Sequence, residues 1–286
     1  MKDKFIVATI VVGILTFAGV IYWMTKTDVE YSDRLKISQS WDLPFELREV
    51  SGISHIDDHR LACVQDEKGV IFIYDLNKDS LTHQIKFGPR GDYEAIRVKD
   101  STAYILQSDG QIYEVIDFES ENRKVNRYQT EFSSFNDMES FDFIKHTNEV
   151  LTIPKENNLL QNRGKFIIYK LSSDDFSLQD ERFISLNYND PVFKLDTNNW
   201  LRDQGFLASE LTVHPDTQEI YILDSRIPKL MILRADGTPK QLYLLNPEQF
   251  QQPEGLSFDS KGRLYISNEE KSFIKQNLHL VELQHN

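Results

Sequence analysis

The chain has 286 residues, 40% of them hydrophobic, a single cysteine and a formal net charge of −13. That is ample apolar material for a packed core. It excludes an internal disulfide, and with no basic stripe to neutralise phosphates it excludes a nucleic-acid partner.

Residues 1–4 form a short tip carrying Lys2 and Lys4. Phe5 to Met24 then run without a charge, long enough to cross a hydrocarbon core as a helix. The run ends Val20-Ile21-Tyr22-Trp23-Met24, bulky and aromatic where a cleavage site needs small residues, and no cysteine follows to carry a lipid. Residues 5–24 therefore predict an uncleaved, single-pass signal anchor in the cell membrane, with residues 1–4 cytoplasmic. Residues 25–33 are polar and read as a tether. The remainder, 34–286, is expected on the periplasmic or extracellular side.

From residue 34 onward, short alternating or apolar runs are bounded by Asp, Asn, Gly, Ser and Pro turns, which is a strand pattern. The one helical candidate lies around Thr197 to Gln204. A phrase recurs: Ser51-Gly52-Ile53, Glu94-Ala95-Ile96, Glu139-Ser140-Phe141, Glu210-Leu211-Thr212 and Glu254-Gly255-Leu256. About ten residues after each comes an apolar run, from Leu61-Ala62-Cys63-Val64 to Leu264-Tyr265-Ile266-Ser267. Cys63, inside such a run, reads as a small buried hydrophobe. A third and fourth run follow in each unit except the last, which stops after its third at Val281-Glu282-Leu283. One surplus strand, Leu35 to Trp41, precedes the first phrase.

Four strands per repeat, with one missing at the end and one spare at the start, predict a β-propeller closed by its N-terminal strand. The phrases stand 43, 45, 71 and 44 residues apart. The excess in the long interval is too short for another blade. The expected fold is an all-β, five-bladed propeller over 34–286, with six blades as the alternative, and a monomer.

These phrases carry a resemblance. Glu49-Val50-Ser51-Gly52-Ile53-Ser54 followed by Asp66-Glu67 is similar to the opening of the SdiA-regulated family of bacterial propellers. Asp92-Tyr93-Glu94-Ala95-Ile96, the Lys155-Glu156 pair and Gln252-Pro253-Glu254-Gly255-Leu256 fit the same family, over about residues 44 to 283. The resemblance implies a membrane-anchored propeller. It also implies a distant similarity to calcium-dependent lactonase and phosphotriesterase propellers, in which Glu, Asn and Asp side chains lining the channel hold calcium.

In a propeller the first strand of each blade lines the channel, so Glu94, Glu139, Glu210 and Glu254 are expected to ring one mouth, with Ser51 in the fifth place. Glu49, two residues before Ser51, shares its strand face. A second tier is expected from Gln65, Gln107, Pro154, Asp224 and Asn268. Converging carboxylates repel, and two remedies stand open: hydrogen bonds to neighbouring blades, or a hard cation such as calcium. The candidate metal ligands are Glu94, Glu139, Glu210, Glu254, Asp224 and Asn268. His55 and His214 read as surface or turn residues, and no cysteine or histidine pair suits zinc. The expected function is an extracytoplasmic scaffold that binds a small molecule or protein at this mouth, with calcium in the channel. The alternative is a calcium-dependent hydrolase of esters, lactones or phosphoesters, with Glu210 as base.

Overall fold

The computed structural model describes residues 31–145, 147–159, 164–193 and 205–284. The expected anchor at 5–24 and the helix expected around Thr197 to Gln204 fall outside them. Among the described residues no helix is long and apolar enough to cross a membrane.

The described chain is twenty strands in five four-stranded antiparallel sheets. The first strand, β1 (Leu35–Asp42), is set aside for the closing blade. Blade one is β2 (Val50–His55), β3 (Arg60–Gln65), β4 (Lys68–Asp75) and β5 (Ser80–Arg90). Blade two is β6 (Tyr93–Lys99), β7 (Thr102–Gln107), β8 (Gln111–Ile116) and β9 (Lys124–Gln129). Blade three is β10 (Met138–Phe143), β11 (Glu149–Pro154), β12 (Lys165–Ser172) and β13 (Leu178–Asn187). Blade four is β14 (Ala208–Val213), β15 (Ile220–Asp224), β16 (Lys229–Leu233) and β17 (Pro239–Leu244). Blade five is β18 (Pro253–Phe258), β19 (Leu264–Asn268) and β20 (Asn277–Leu283), completed by β1. Leu35 pairs with Leu283 and Trp41 with Leu278, so the spare N-terminal strand fills the vacancy left by the last unit. The first strands pack in a cycle, β2 on β6, β6 on β10, β10 on β14, β14 on β18 and β18 on β2. That cycle fixes five blades rather than six.

The core lies between blades. Five apolar clusters occupy the five blade interfaces, for example Ile71, Ile73, Ile96 and Ile105 between blades one and two. Cys63 sits in the cluster between blades five and one, and burial pushes its thiol up to about 12, as an inert core residue. Near the axis the strands approach so closely that side chains must be small. A Cβ on Gly52 would lie 2.8 Å from the Cα of Ala95, and one on Gly255 would lie 2.3 Å from Ser267 Oγ.

Candidate functional site, an acidic channel mouth

Every first strand carries a bulge near its start. Pairing with the second strand skips one residue in each blade: Ser51, Glu94, Glu139, Ser209 and Glu254. A bulge leaves its extra residue unpaired and re-aims the side chain, so these five residues form the ring at the mouth. Aligning the phrases on their glutamates misplaces blade four by one residue. Ser209, not Glu210, is the equivalent of Glu254, and Glu210 occupies the place of Gly52, Ala95, Ser140 and Gly255. The apolar residue that follows carried the correct signal, since Leu211 aligns with Ile53, Ile96, Phe141 and Leu256.

The ring is therefore three carboxylates and two hydroxyls. The hydroxyls lock neighbouring blades: Ser51 Oγ donates to the Tyr93 carbonyl at 2.6 Å, and Ser209 Oγ donates to the Pro253 carbonyl at 2.9 Å. Among the carboxylates, Glu139 accepts from Lys155 Nζ at 2.7 Å. Burial pushes the Glu139 carboxyl to about 8 against the pull of Lys155. Burial likewise raises Glu94, helped by Glu139, Asp92 and Glu254, and it raises Glu254 despite Lys155. Lys155 is itself held charged, because Glu139, Glu254 and Glu94 outweigh the cost of its burial.

The second tier has the expected register. Gln65, Gln107, Pro154, Asp224 and Asn268 stand opposite Val50, Tyr93, Met138, Ala208 and Pro253, each one residue before the bulge. Its members differ in what remains free. Asp224 is fully committed: Oδ1 accepts from the N–H groups of Arg226 and Ile227, and Oδ2 from Leu207 N–H and from Lys229 Nζ at 3.0 Å. Asn268 donates through Nδ2 to Asn277 Oδ1 at 2.8 Å, while its own Oδ1 is buried without a donor. Gln65 Oε1 is in the same condition, as are Glu49 Oε2 and Asp66 Oδ1.

These four orphaned oxygens belong to blades one and five, which are neighbours around the ring. The Glu270 N–H donates to the Arg48 carbonyl at 2.8 Å and ties the two loops together. Burial pushes Glu269 to about 8, reinforced by Glu254, Asp66, Glu139 and Glu49. Burial pushes Asp66 to about 6, with Glu49 adding to it. The acidic character is therefore densest between blades five and one, whereas Asp224 and Glu210 in blade four are each neutralised by a base. Sequence reasoning missed Glu269 as a site residue and read Asp66 only as part of a family phrase.

Three residues beyond the bulge ring the first strands carry a second polar tier, Ser54, Arg97, Asp142, Thr212 and Ser257. Arg97 is almost wholly buried. Its guanidinium lies 2.9 Å from Glu210 Oε1 and 3.2 Å from Asp142 Oδ1, and it also donates to the carbonyls of Ile53, Ile96 and Leu211. Burial pushes the Glu210 carboxyl to about 8 while Arg97 pulls it down. Both Glu210 oxygens accept from Arg97, and Oε1 also accepts the Leu211 N–H. His214 lies in a turn as expected, with Nδ1 accepting from the Asp216 N–H. His55, at the end of β2, is half-buried: its Nδ1 is 3.1 Å from Ser257 Oγ, its ring meets Tyr265 edge-on, and burial lowers it to about 4, so it is neutral.

The donor set at the mouth is all oxygen, carboxylate and amide, which suits a hard cation and not zinc. Among the described residues no three His, Cys, Asp or Glu side chains stand together in a way that would hold one metal ion directly. An ion at this mouth would therefore reach part of its donors through water.

No protein-family model matches the chain, and no curated protein does. Solved structures do. The Myxococcus xanthus glutaminyl cyclase matches with a TM-score of 0.58 at 11% identity, covering 87% of this chain and 95% of that one. A chain of the mitotic checkpoint complex matches at 0.52 and 9% identity, covering 91% and 94%. A streptogramin B lyase matches at 0.50 and 11% identity, covering 90% and 100%. At such identities the property shared with these proteins is the fold, and the chain is a β-propeller.

Proposed function

We propose that this chain is a membrane-anchored, extracytoplasmic propeller of the SdiA-regulated kind, whose acidic mouth binds a cation, with calcium the ion that best suits the donors. The observation that carries this reading is the set of four buried oxygens without donors, on Glu49, Gln65, Asp66 and Asn268, beside the carboxylates of Glu254 and Glu269. A buried acceptor left unpaired costs about 1–3 kcal/mol, and four on one side of a channel are relieved together by a positive guest. Glu94, Glu139, Glu254 and Asn268 remain in the proposed ligand set, joined by Gln65, Asp66 and Glu269. Glu210 and Asp224 leave it, since Arg97 and Lys229 already supply their counter-charge. An ion bound to the folded state must stabilise it. Calcium should raise the thermal midpoint of the full chain and a chelator should lower it, with both effects reduced in Glu254→Gln. A midpoint indifferent to both would overturn the cation site.

A second reading, hydrolysis of an ester, lactone or phosphoester, is favoured by the Glu139 carboxyl poised near neutrality beside Lys155. A calcium ion would supply positive charge toward the substrate oxygen. Glu139, rather than Glu210, would take the proton of the attacking water. Turnover of lactone or aryl ester substrates that Glu139→Gln abolishes even at saturating calcium would establish this reading. No turnover across both substrate classes leaves binding as the function.

A further inference from the structure

The opposite mouth has the reverse chemistry. A cavity of about 360 Å³ lies over the tier of Ser54, Arg97, Asp142, Thr212 and Ser257, walled by Val98, Phe143, Ile144, Val213 and Phe258. That volume is within the range of small-molecule sites. A second, mostly apolar cavity of about 280 Å³ shares Ile144, Lys145 and Val213 with it and adds Leu151, Phe183 and Ile220.

Of the polar groups facing the first cavity, Ser54 and the rim lysines keep protons to give. Asp142 offers no free acceptor, because Oδ1 is ion-paired with Arg97 Nε at 3.2 Å and takes the Phe143 N–H, and Oδ2 takes the Thr212 hydroxyl and the Val213 N–H. Thr212 has thus spent its proton. Ser54 Oγ accepts the Val98 N–H at 2.9 Å and keeps its own proton for a guest. At the rim stand Lys99 and Lys145, both exposed, and neither makes an ion pair among the described residues. Lys99 Nζ is held 5.3 Å from the centre of the Phe143 ring.

We propose that this mouth is a second binding site, for a small carboxylate with an apolar or aromatic body. The carboxylate would sit between Lys99 and Lys145 within reach of the Ser54 hydroxyl. The body would lie against Phe143, Ile144 and Val213 toward Phe183. The site is independent of the acidic mouth, since the side chain of Arg97 crosses the channel between them.

The test is calorimetric titration of the full chain, held in phosphatidylcholine nanodiscs, with 6-phenylhexanoate and with 5-phenylpentylammonium. The expected result is one phenylhexanoate per chain with a Kd below about 1 mM and no binding of the ammonium compound at this mouth. Lys99→Glu combined with Lys145→Glu should weaken phenylhexanoate at least tenfold with the thermal midpoint preserved, since both side chains are exposed. Absence of phenylhexanoate binding would overturn the proposal, as would equal affinity in the charge-reversed variant. Loss of binding when phosphatidylglycerol is added to the discs would overturn the assignment to a free acid and give the site to a lipid headgroup.

Discussion

Arg97 Nη2 in blade two lies 2.9 Å from Glu210 Oε1 in blade four, although the two blades are not neighbours. The arginine reaches across the channel, and its hydrogen bonds to Ile53 and Leu211 and its ion pair with Asp142 bring blades one, three and four onto one side chain. It is a central strut in a ring whose main inter-blade packing, among the described residues, joins adjacent blades. Removing one partner of a buried pair typically costs about 3–5 kcal/mol. Arg97→Met should therefore lower the thermal midpoint by roughly 6–20 °C for a domain of this size. Arg97→Met combined with Glu210→Gln should lose less than the sum of the single variants, because both remove the same interaction. Calorimetric melts of the four proteins measure the coupling, and strict additivity would exclude the strut.

The ring itself was largely legible in sequence and one of its members was not. Blade number, strand order, the N-terminal closing strand and the register of Gln65, Gln107, Pro154, Asp224 and Asn268 all follow from hydrophobic periodicity, because each blade must bury the same faces against its neighbours. Glu210 was misplaced because charge was given more weight than the apolar residue behind it, and a bulge shifts the two by one position. The Arg97–Asp142–Glu210 cluster could not be read at all. Its members lie in three blades, and only closure of the ring brings them together.

The carboxylates at the mouth make stability depend on pH with an unusual sign. Glu139 and Glu269 are pushed to about 8, well above their ordinary range, so the folded chain holds protons that the unfolded chain has lost. Their contribution is complete below the ordinary carboxylate range and is lost as pH rises through about 8. His55, lowered to about 4, acts in the opposite direction, but its effect is finished above its ordinary value near 6.5. Between pH 7 and 9 the thermal midpoint should therefore fall, and Glu269→Gln should flatten the fall. Calcium should stabilise more at pH 9 than at pH 7, because there it no longer displaces protons. A midpoint that is constant or rising over this window would contradict the assignment.

Lys155 is the cation the protein supplies for itself. Its ammonium pairs with Glu139 and acts on Glu254 and Glu94. Lys155→Met removes a competing positive charge from the mouth, and calcium affinity should rise about five- to tenfold, equivalent to roughly 1–1.4 kcal/mol. Isothermal titration of the variant against the wild-type chain measures this directly. Weaker binding in the variant would mean that Lys155 organises the site rather than competing for it.

Close approach at the axis predicts a penalty for a single methyl group. A Cβ at Gly52 would meet the Ala95 Cα at 2.8 Å and the Ile96 nitrogen at 2.9 Å, both backbone atoms that cannot step aside without moving blade two. Gly52→Ala should cost about 1–3 kcal/mol, the usual range for overpacking, read as a lower urea midpoint at unchanged slope. An unchanged midpoint would show that the two inner strands can separate freely.

The ring closes on Trp41, and closure should be the weak point of the whole fold. Trp41 in β1 donates through Nε1 to the Leu76 carbonyl at 3.1 Å, stacks on Tyr265 and packs with Leu47, Phe72 and Leu278 where blade five meets blade one. β1 joins blade five through strand pairing with β20 and side-chain contacts such as Ser40 with His279, not through chain continuity, because the chain enters that blade from the opposite end of the sequence. Loss of the indole removes the packing that holds β1 in register, at about 3–5 kcal/mol. Trp41→Ala should therefore melt earlier. Amide exchange should then become fast in β1 and β20 before it does so in blades two and three, because an opened seam leaves those blades their own interface cluster. Uniform acceleration across all five blades would instead mean that the ring unfolds only as a whole.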